Sequence, residues 1–144
     1  MKALSIRQPW AWCILHGRKR VENRTWTTDY RGWLLLHSGV TMSRSDYDEC
    51  DEVCARLTHV ELPPRDSRAL LRGGIVGAAE LIDVVENDST HPVFNSPWAF
   101  GPCLWIFDRV TPLGFVPCRG RLSLFDLPYH LETHDGILTI REGA

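Results

Sequence analysis

The sequence predicts an α+β fold, a small closed β-barrel with helices at its rim. Three observations carry that expectation. Short apolar or alternating segments recur along the chain, and two other stretches place apolar residues at helical spacing. The chain has 144 residues and 44% hydrophobic content, the size of one domain (residues 1–144) that buries a core unaided. Closing the strands into a barrel removes the exposed edges that an open sheet leaves.

Each element follows from local pattern. Residues 4–6 read as a short strand. Gln8-Pro9-Trp10 starts a helix with proline in its first turn; Trp10, Cys13 and Ile14 share one face, and the helix stops at His16-Gly17, where glycine is expected in the left-handed cap. Residues 18–26 switch to a period of two, with Arg20, Glu22, Arg24 and Trp26 pointing one way and Lys19, Val21 and Asn23 the other. A strand starting at Arg20 instead leaves Lys19 in the turn after Gly17, free of that alternation.

Asp29-Tyr30-Arg31-Gly32 is a turn, and Trp33-Leu34-Leu35-Leu36 an apolar run short enough for a buried strand, ending in His37-Ser38-Gly39. Over residues 43–57, Tyr47, Cys50, Val53, Cys54 and Leu57 recur at helical spacing with acidic residues between them, an amphipathic surface helix. A loop runs from Leu62 to Gly73-Gly74, and residues 75–85 are the longest strand candidate. Residues 87–102 form a long loop containing Phe94, Trp98 and Phe100, the kind that carries function or folds back on the core. Residues 103–110 are a further strand, 111–114 a turn and 121–127 a last short strand. Residues 128–144 are a C-terminal tail, either loosely docked or adding a weak strand at 137–140.

The net charge of −2 hides a division along the chain. Through Arg31, seven basic residues face Glu22 and Asp29, a balance of +5, which leaves −7 for the remainder. Such a local basic surface attracts phosphate without coating the molecule in nucleic acid. Fourteen of the sixteen basic residues are arginine, whose planar fork suits phosphate and base edges, and Lys19 stands out among them.

Other function classes find no support. No apolar run approaches the roughly 18 residues of a membrane span, so a soluble, cytoplasmic protein is expected, with no membrane partner. Five cysteines at no framework spacing argue for free thiols in a reducing compartment. Phosphate-loop, dinucleotide-binding and nucleophile-elbow signatures are absent from the sequence. Cys50 with Cys54, and His130 with His134, could each offer two ligands from one turn, but neither spacing is a recognised zinc pair. No metal site or cofactor is therefore expected, Mg²⁺ or Mn²⁺ entering only if the protein is a nuclease.

Several segments, in order, carry a resemblance. They are Leu4-Ser5-Ile6-Arg7-Gln8-Pro9-Trp10-Ala11, Gly17-Arg18-Lys19-Arg20-Val21-Glu22-Asn23-Arg24, and the run from Tyr30-Arg31-Gly32 to His37-Ser38-Gly39. Gly74-Ile75-Val76-Gly77-Ala78-Ala79-Glu80-Leu81, Ser96-Pro97-Trp98-Ala99-Phe100-Gly101-Pro102 and Pro117-Cys118-Arg119-Gly120 follow. Together, over about residues 3–127, they resemble the ASCH family, whose signature is a G-x-K-x-x-E-x-R element after the first helix. The resemblance implies a PUA-like β-barrel with a cleft beside that helix, and a role linked to RNA. Within the family one bacterial branch hydrolyses N4-acetylcytidine to cytidine, another member is a metal-dependent ribonuclease, and others are parts of transcriptional coactivators. Lys19 and Arg24 match the deacetylating branch, but Glu22 stands where that branch carries threonine. A hydroxyl nucleophile is thus missing there, and hydrolysis would need water.

The resulting expectation is a basic cleft that binds RNA or a modified nucleobase. The alternatives are a non-catalytic RNA-binding module and a ribonuclease. If the cleft is catalytic, Lys19 is the base, made neutral by repulsion from Arg18, Arg20 and Arg24; Glu22 is the acid or proton shuttle, and Arg24 stabilises an anion. Arg7, Gln8, Trp10, Arg20, Ser38, Ser96 and Trp98 are candidate RNA or nucleobase contacts. Trp98 and Phe100 are candidates for stacking a base.

Overall fold

The computed structural model describes residues 1–86 and 90–143. Residues 87–89, at the start of the long loop expected over 87–102, lie outside the described residues. The chain runs β1 (Lys2–Ile6), α1 (Trp10–His16), β2 (Val21–Arg24), β3 (Gly32–Ser38), α2 (Arg44–Leu57), β4 (Gly74–Glu86), a short 3-10 helix (Pro92–Asn95), β5 (Cys103–Pro117), β6 (Phe125–Asp126), β7 (Tyr129–His134) and β8 (Ile137–Glu142). The class is α+β, mostly sheet with two α-helices among the described residues. No described helix is long and apolar enough to cross a membrane.

Six strands form one sheet in the order β2-β5-β4-β3-β1-β6, with β7 and β8 a separate hairpin. β1 and β3 run parallel, Ala3 opposite Leu35, and the other neighbours are antiparallel. The expected closed barrel is therefore corrected, because β2 and β6 are the sheet's two edges and do not pair. The physical reason lies in strand lengths. The segment expected to supply a full last strand over 121–127 pairs only at Phe125–Asp126, and β2 has four residues. The two long strands, β4 and β5, pair with register shifts at Ile75/Gly77, Ala79/Leu81 and Leu81/Asp83, irregularities of the kind that bend a strand.

One of those shifts absorbs a predicted turn. Thr111-Pro112-Leu113-Gly114 does not end β5: Pro112 lies opposite Gly77 and Val116 opposite Ile75, so β5 carries surplus residues as a bulge. Proline, lacking an N–H, is tolerated at such a site.

The apolar run of β3 is buried on both faces. Leu34 and Leu36 join Leu4, Ile6, Ile14, Trp105 and Phe107 on one side. Leu35 joins Ala3, Ile75, Ala78 and Phe125 on the other. The tail also closes over this second face: Leu131 and Ile140 of the hairpin pack on it, reached through Asp135 and Gly136, both at positive φ. Asp-Gly at a two-residue hairpin turn is a strong local signal, so the tail is a docked hairpin and not a loose end.

The two helices are fixed by their ends. Ser43 caps α2 and shares a capping box with Asp46. At the end of α1 the left-handed residue is Arg18 (φ 59°), not Gly17 (φ −111°). Gly17 is needed for closeness instead: a Cβ there would lie 2.9 Å from the Cys13 carbonyl oxygen. That carbonyl accepts from the backbone N–H groups of Gly17 at 2.8 Å and Lys19 at 3.1 Å, which turns the chain sharply.

Candidate functional site

A cleft of about 570 Å³ opens between the end of β1, the start of α1, β2 and the segment after β3. The sharp turn after α1 delivers Lys19 into it before β2 begins at Val21. Lys19 therefore escapes strand alternation and shares the cleft floor with Glu22 and Arg24.

Lys19 is 1% exposed, the most deeply buried charge in the cleft. Its amine donates to Glu22 Oε1 at 3.1 Å and to the Val21 carbonyl, and sits 5.8 Å from the centre of the Trp10 ring. Arg24 Nη2 donates to the other carboxylate oxygen, Glu22 Oε2, at 2.9 Å and to the Ser5 carbonyl at 2.7 Å. Glu22 is thus clamped between two cations. Its burial pushes the carboxyl pKa up, but the charges and hydrogen bonds of Lys19 and Arg24 outweigh that and hold it below the usual carboxylate range. The charged partner of the Lys19 amine is this carboxylate, so the repulsion from neighbouring arginines expected to make Lys19 neutral is countered by an ion pair. Arg20 turns away and donates to the Ile14 carbonyl at 3.0 Å. Arg24 Nε is buried without a hydrogen-bond partner among the described residues.

Of the candidates read from sequence, Arg7, Trp10, Lys19, Glu22 and Arg24 line the cleft together. Arg7, at the rim, reaches Asp46 of α2 at 3.3 Å. The others lie elsewhere. Gln8 is buried and ties the Leu71 carbonyl to the Trp12 N–H of α1, 2.9 Å to each. Ser38 is fully buried in β3, and Ser96 accepts from the Trp98 N–H at 3.2 Å. Trp98 is 5% exposed and packs with Cys13, Val21 and Leu104. The aromatic face offered to the cleft belongs to Phe100, 59% exposed.

Sequence reasoning missed Ser5, Asn23, Thr41 and Leu122 as lining residues. Asn23 has a clear structural task. Its amide donates to the Trp98 carbonyl at 2.9 Å, and its oxygen accepts from the N–H groups of Phe100 (2.7 Å) and Gly101 (3.0 Å). One side chain of β2 therefore holds the aromatic loop against the cleft. The presence of Asn beside the charged triplet was visible in sequence, but nothing local named a partner more than seventy residues away. Ser5 places its hydroxyl 3.1 Å from Nδ1 of buried His37, whose Nε2 lies 2.8 Å from the Cys118 carbonyl. Since a carbonyl only accepts, Nε2 carries a proton, and in the neutral ring Nδ1 then accepts from Ser5.

The arrangement offers an anion flanked by cations, a cationic rim at Arg7, a half-buried ring at Trp10 and an exposed one at Phe100. It can therefore meet a ligand that carries both donors and acceptors on a flat ring.

The ASCH domain family model matches residues 4–96. Activating signal cointegrator 1 from Homo sapiens is 35% identical over 109 residues, covering 67% of this chain and 18% of the human protein. Its counterpart from Mus musculus is 36% identical over 132 residues, covering 86% of this chain and 22% of the mouse protein. The chain thus spans about a fifth of the length of these curated relatives. With the sequence signature and the cleft beside α1 both in place, this chain belongs to the ASCH domain family.

Proposed function

We propose that the cleft binds a modified nucleobase, as a free nucleoside or as a base turned out of RNA, and that N4-acylated cytosine is the chemistry it fits best. The observation that carries this reading is the buried Glu22 carboxylate held between Lys19 and Arg24 on the cleft floor. An N4-acyl cytosine presents one amide N–H donor between acceptor atoms, the complement of one carboxylate between two cations. The cleft volume lies within the roughly 300–1,000 Å³ of small-molecule sites. Phe100 and Trp10 offer ring faces for stacking, and Arg7 at the rim suits a phosphate.

Hydrolysis of the acyl group is the reaction this arrangement suits. Water adds to the acyl carbon, the bond to N4 breaks, N4 gains a proton, and cytidine and acetate leave. Arg24 faces the developing oxyanion; the Glu22 carboxylate takes the proton from water and the Lys19 ammonium in contact with it donates to N4, so the ion pair stands in place of the neutral Lys19 base expected from sequence.

The test is incubation of the purified protein with N4-acetylcytidine, the Lys19→Ala variant in parallel, and chromatographic separation of the nucleosides, alongside calorimetric binding. Cytidine formed by the wild type and lost in the variant supports hydrolysis. Saturable nucleoside binding without product leaves a non-catalytic binding domain. Metal-dependent cleavage of single-stranded RNA would replace the hydrolase reading with a ribonuclease. Absence of binding to both nucleoside and RNA would overturn the proposal.

A further inference from the structure

Behind the cleft, three thiols from two helices converge. Cys13 on α1 places its Sγ 3.6 Å from that of Cys50 and 4.0 Å from that of Cys54, both on α2 and one turn apart. All three sulfurs lie within 4.8 Å of one another. Cys13 and Cys50 are fully buried and Cys54 is 2% exposed, and Val21, Trp98 and Leu104 close the surroundings with apolar side chains.

These separations match a ligand set. With metal–sulfur bonds of about 2.3 Å, neighbouring sulfurs stand about 3.8 Å apart around a tetrahedral ion and about 4.0 Å apart around a trigonal one. The thiols would therefore move by only tenths of an ångström to share one ion between them. Sulfur ligands select soft ions, and among the described residues the group supplies three ligands and no fourth. A structural zinc site wants four protein ligands, whereas monovalent copper is content with three sulfurs.

We propose that Cys13, Cys50 and Cys54 form a three-thiolate site for a soft thiophilic metal ion, Cu(I) being the ion it fits. On binding, the thiols give up their protons to solvent and the copper stays monovalent, so no oxidant or reductant is required. The ion clamps α1 to α2. Because the Cys13 carbonyl holds the Lys19 N–H, the clamp also stiffens the turn that carries Lys19. The sequence made only the Cys50–Cys54 pair visible; the third ligand lies on another helix, 37 residues away from the first of the pair. This site does not depend on what the cleft binds.

The test uses the whole reduced chain, offered Cu(I) in competition with a chromogenic Cu(I) chelator, both in the native state and during refolding, because the sulfurs are enclosed. Cd(II) serves as a second probe through its thiolate charge-transfer absorption. The expected result is one ion retained per chain, a raised thermal midpoint, and X-ray absorption showing three sulfurs around the copper. Cys54→Ser should fall to no retained ion while circular dichroism shows it folded, and Cys118→Ser should keep the full stoichiometry. If Cys54→Ser does not fold, the sulfur count from X-ray absorption on the wild type decides. No ion held against the chelator in either protocol, undiminished binding by folded Cys54→Ser, or a sulfur count other than three would overturn the site. So would a chain two hydrogens lighter that takes up no metal, which would mark a disulfide-forming pair instead.

Discussion

Lys19→Met strands the Glu22 carboxylate. In the wild type that carboxylate, 10% exposed at its side chain, is compensated by Lys19 at 3.1 Å and Arg24 at 2.9 Å. Removing one partner of a buried pair costs about 3–5 kcal/mol. Arg24 remains, so the expected loss is at the lower end, about 3 kcal/mol at pH 7. Adding Glu22→Gln to Lys19→Met removes the stranded charge, and the pair should show a coupling of about 2 kcal/mol instead of adding. The pH dependence has a definite sign. Glu22 titrates below its ordinary value in the folded protein, so its pairing contributes stability above the unfolded value of about 4.3 that is lost as pH falls through the lowered one. Without Lys19 the folded carboxyl titrates higher, and protonation then relieves the stranded charge. The gap between variant and wild type should therefore narrow as the pH falls from about 7 to about 4. Urea denaturation at both pH values measures it. An equal gap at the two pH values, or strict additivity of the single variants, would refute the clamped-carboxylate reasoning.

Asn23→Ala removes three hydrogen bonds that hold the aromatic loop, and at about 1 kcal/mol each it should cost about 2–3 kcal/mol and speed proteolysis between residues 96 and 101. Phe100→Ala should leave urea stability nearly unchanged, since the ring is exposed, yet weaken nucleobase binding by about 1–3 kcal/mol in calorimetry. Deleting residues 128–143 uncovers the face that Leu131 and Ile140 close, and should lower the thermal midpoint and raise binding of a hydrophobic dye. A deletion variant as stable as the whole chain would mean the hairpin contributes no core.

By itself the sequence determined the class, most element positions and the local cluster at the cleft. Trp33-Leu34-Leu35-Leu36 reads as a buried strand because it is an unbroken apolar run, and β3 is that strand, with the three leucines buried and Trp33 half-buried. Lys19, Glu22 and Arg24 lie within six residues, so one tight turn and a short strand suffice to gather them. Tertiary structure decided what depends on distant partners. Barrel closure was not readable, because it rests on whether two edge strands meet and not on any local pattern. Pro112 and Gly114 look like a turn until a register shift with β4 absorbs them. Trp98 and Phe100 sit two residues apart in one loop, and only packing decides that the first is buried and the second faces the cleft. The thiol cluster shares this cause: helical spacing relates Cys50 to Cys54, while the approach of Cys13 is set by how α1 lies on α2. Short-range periodicity governs which face a side chain takes, and long-range packing alone governs what that face meets.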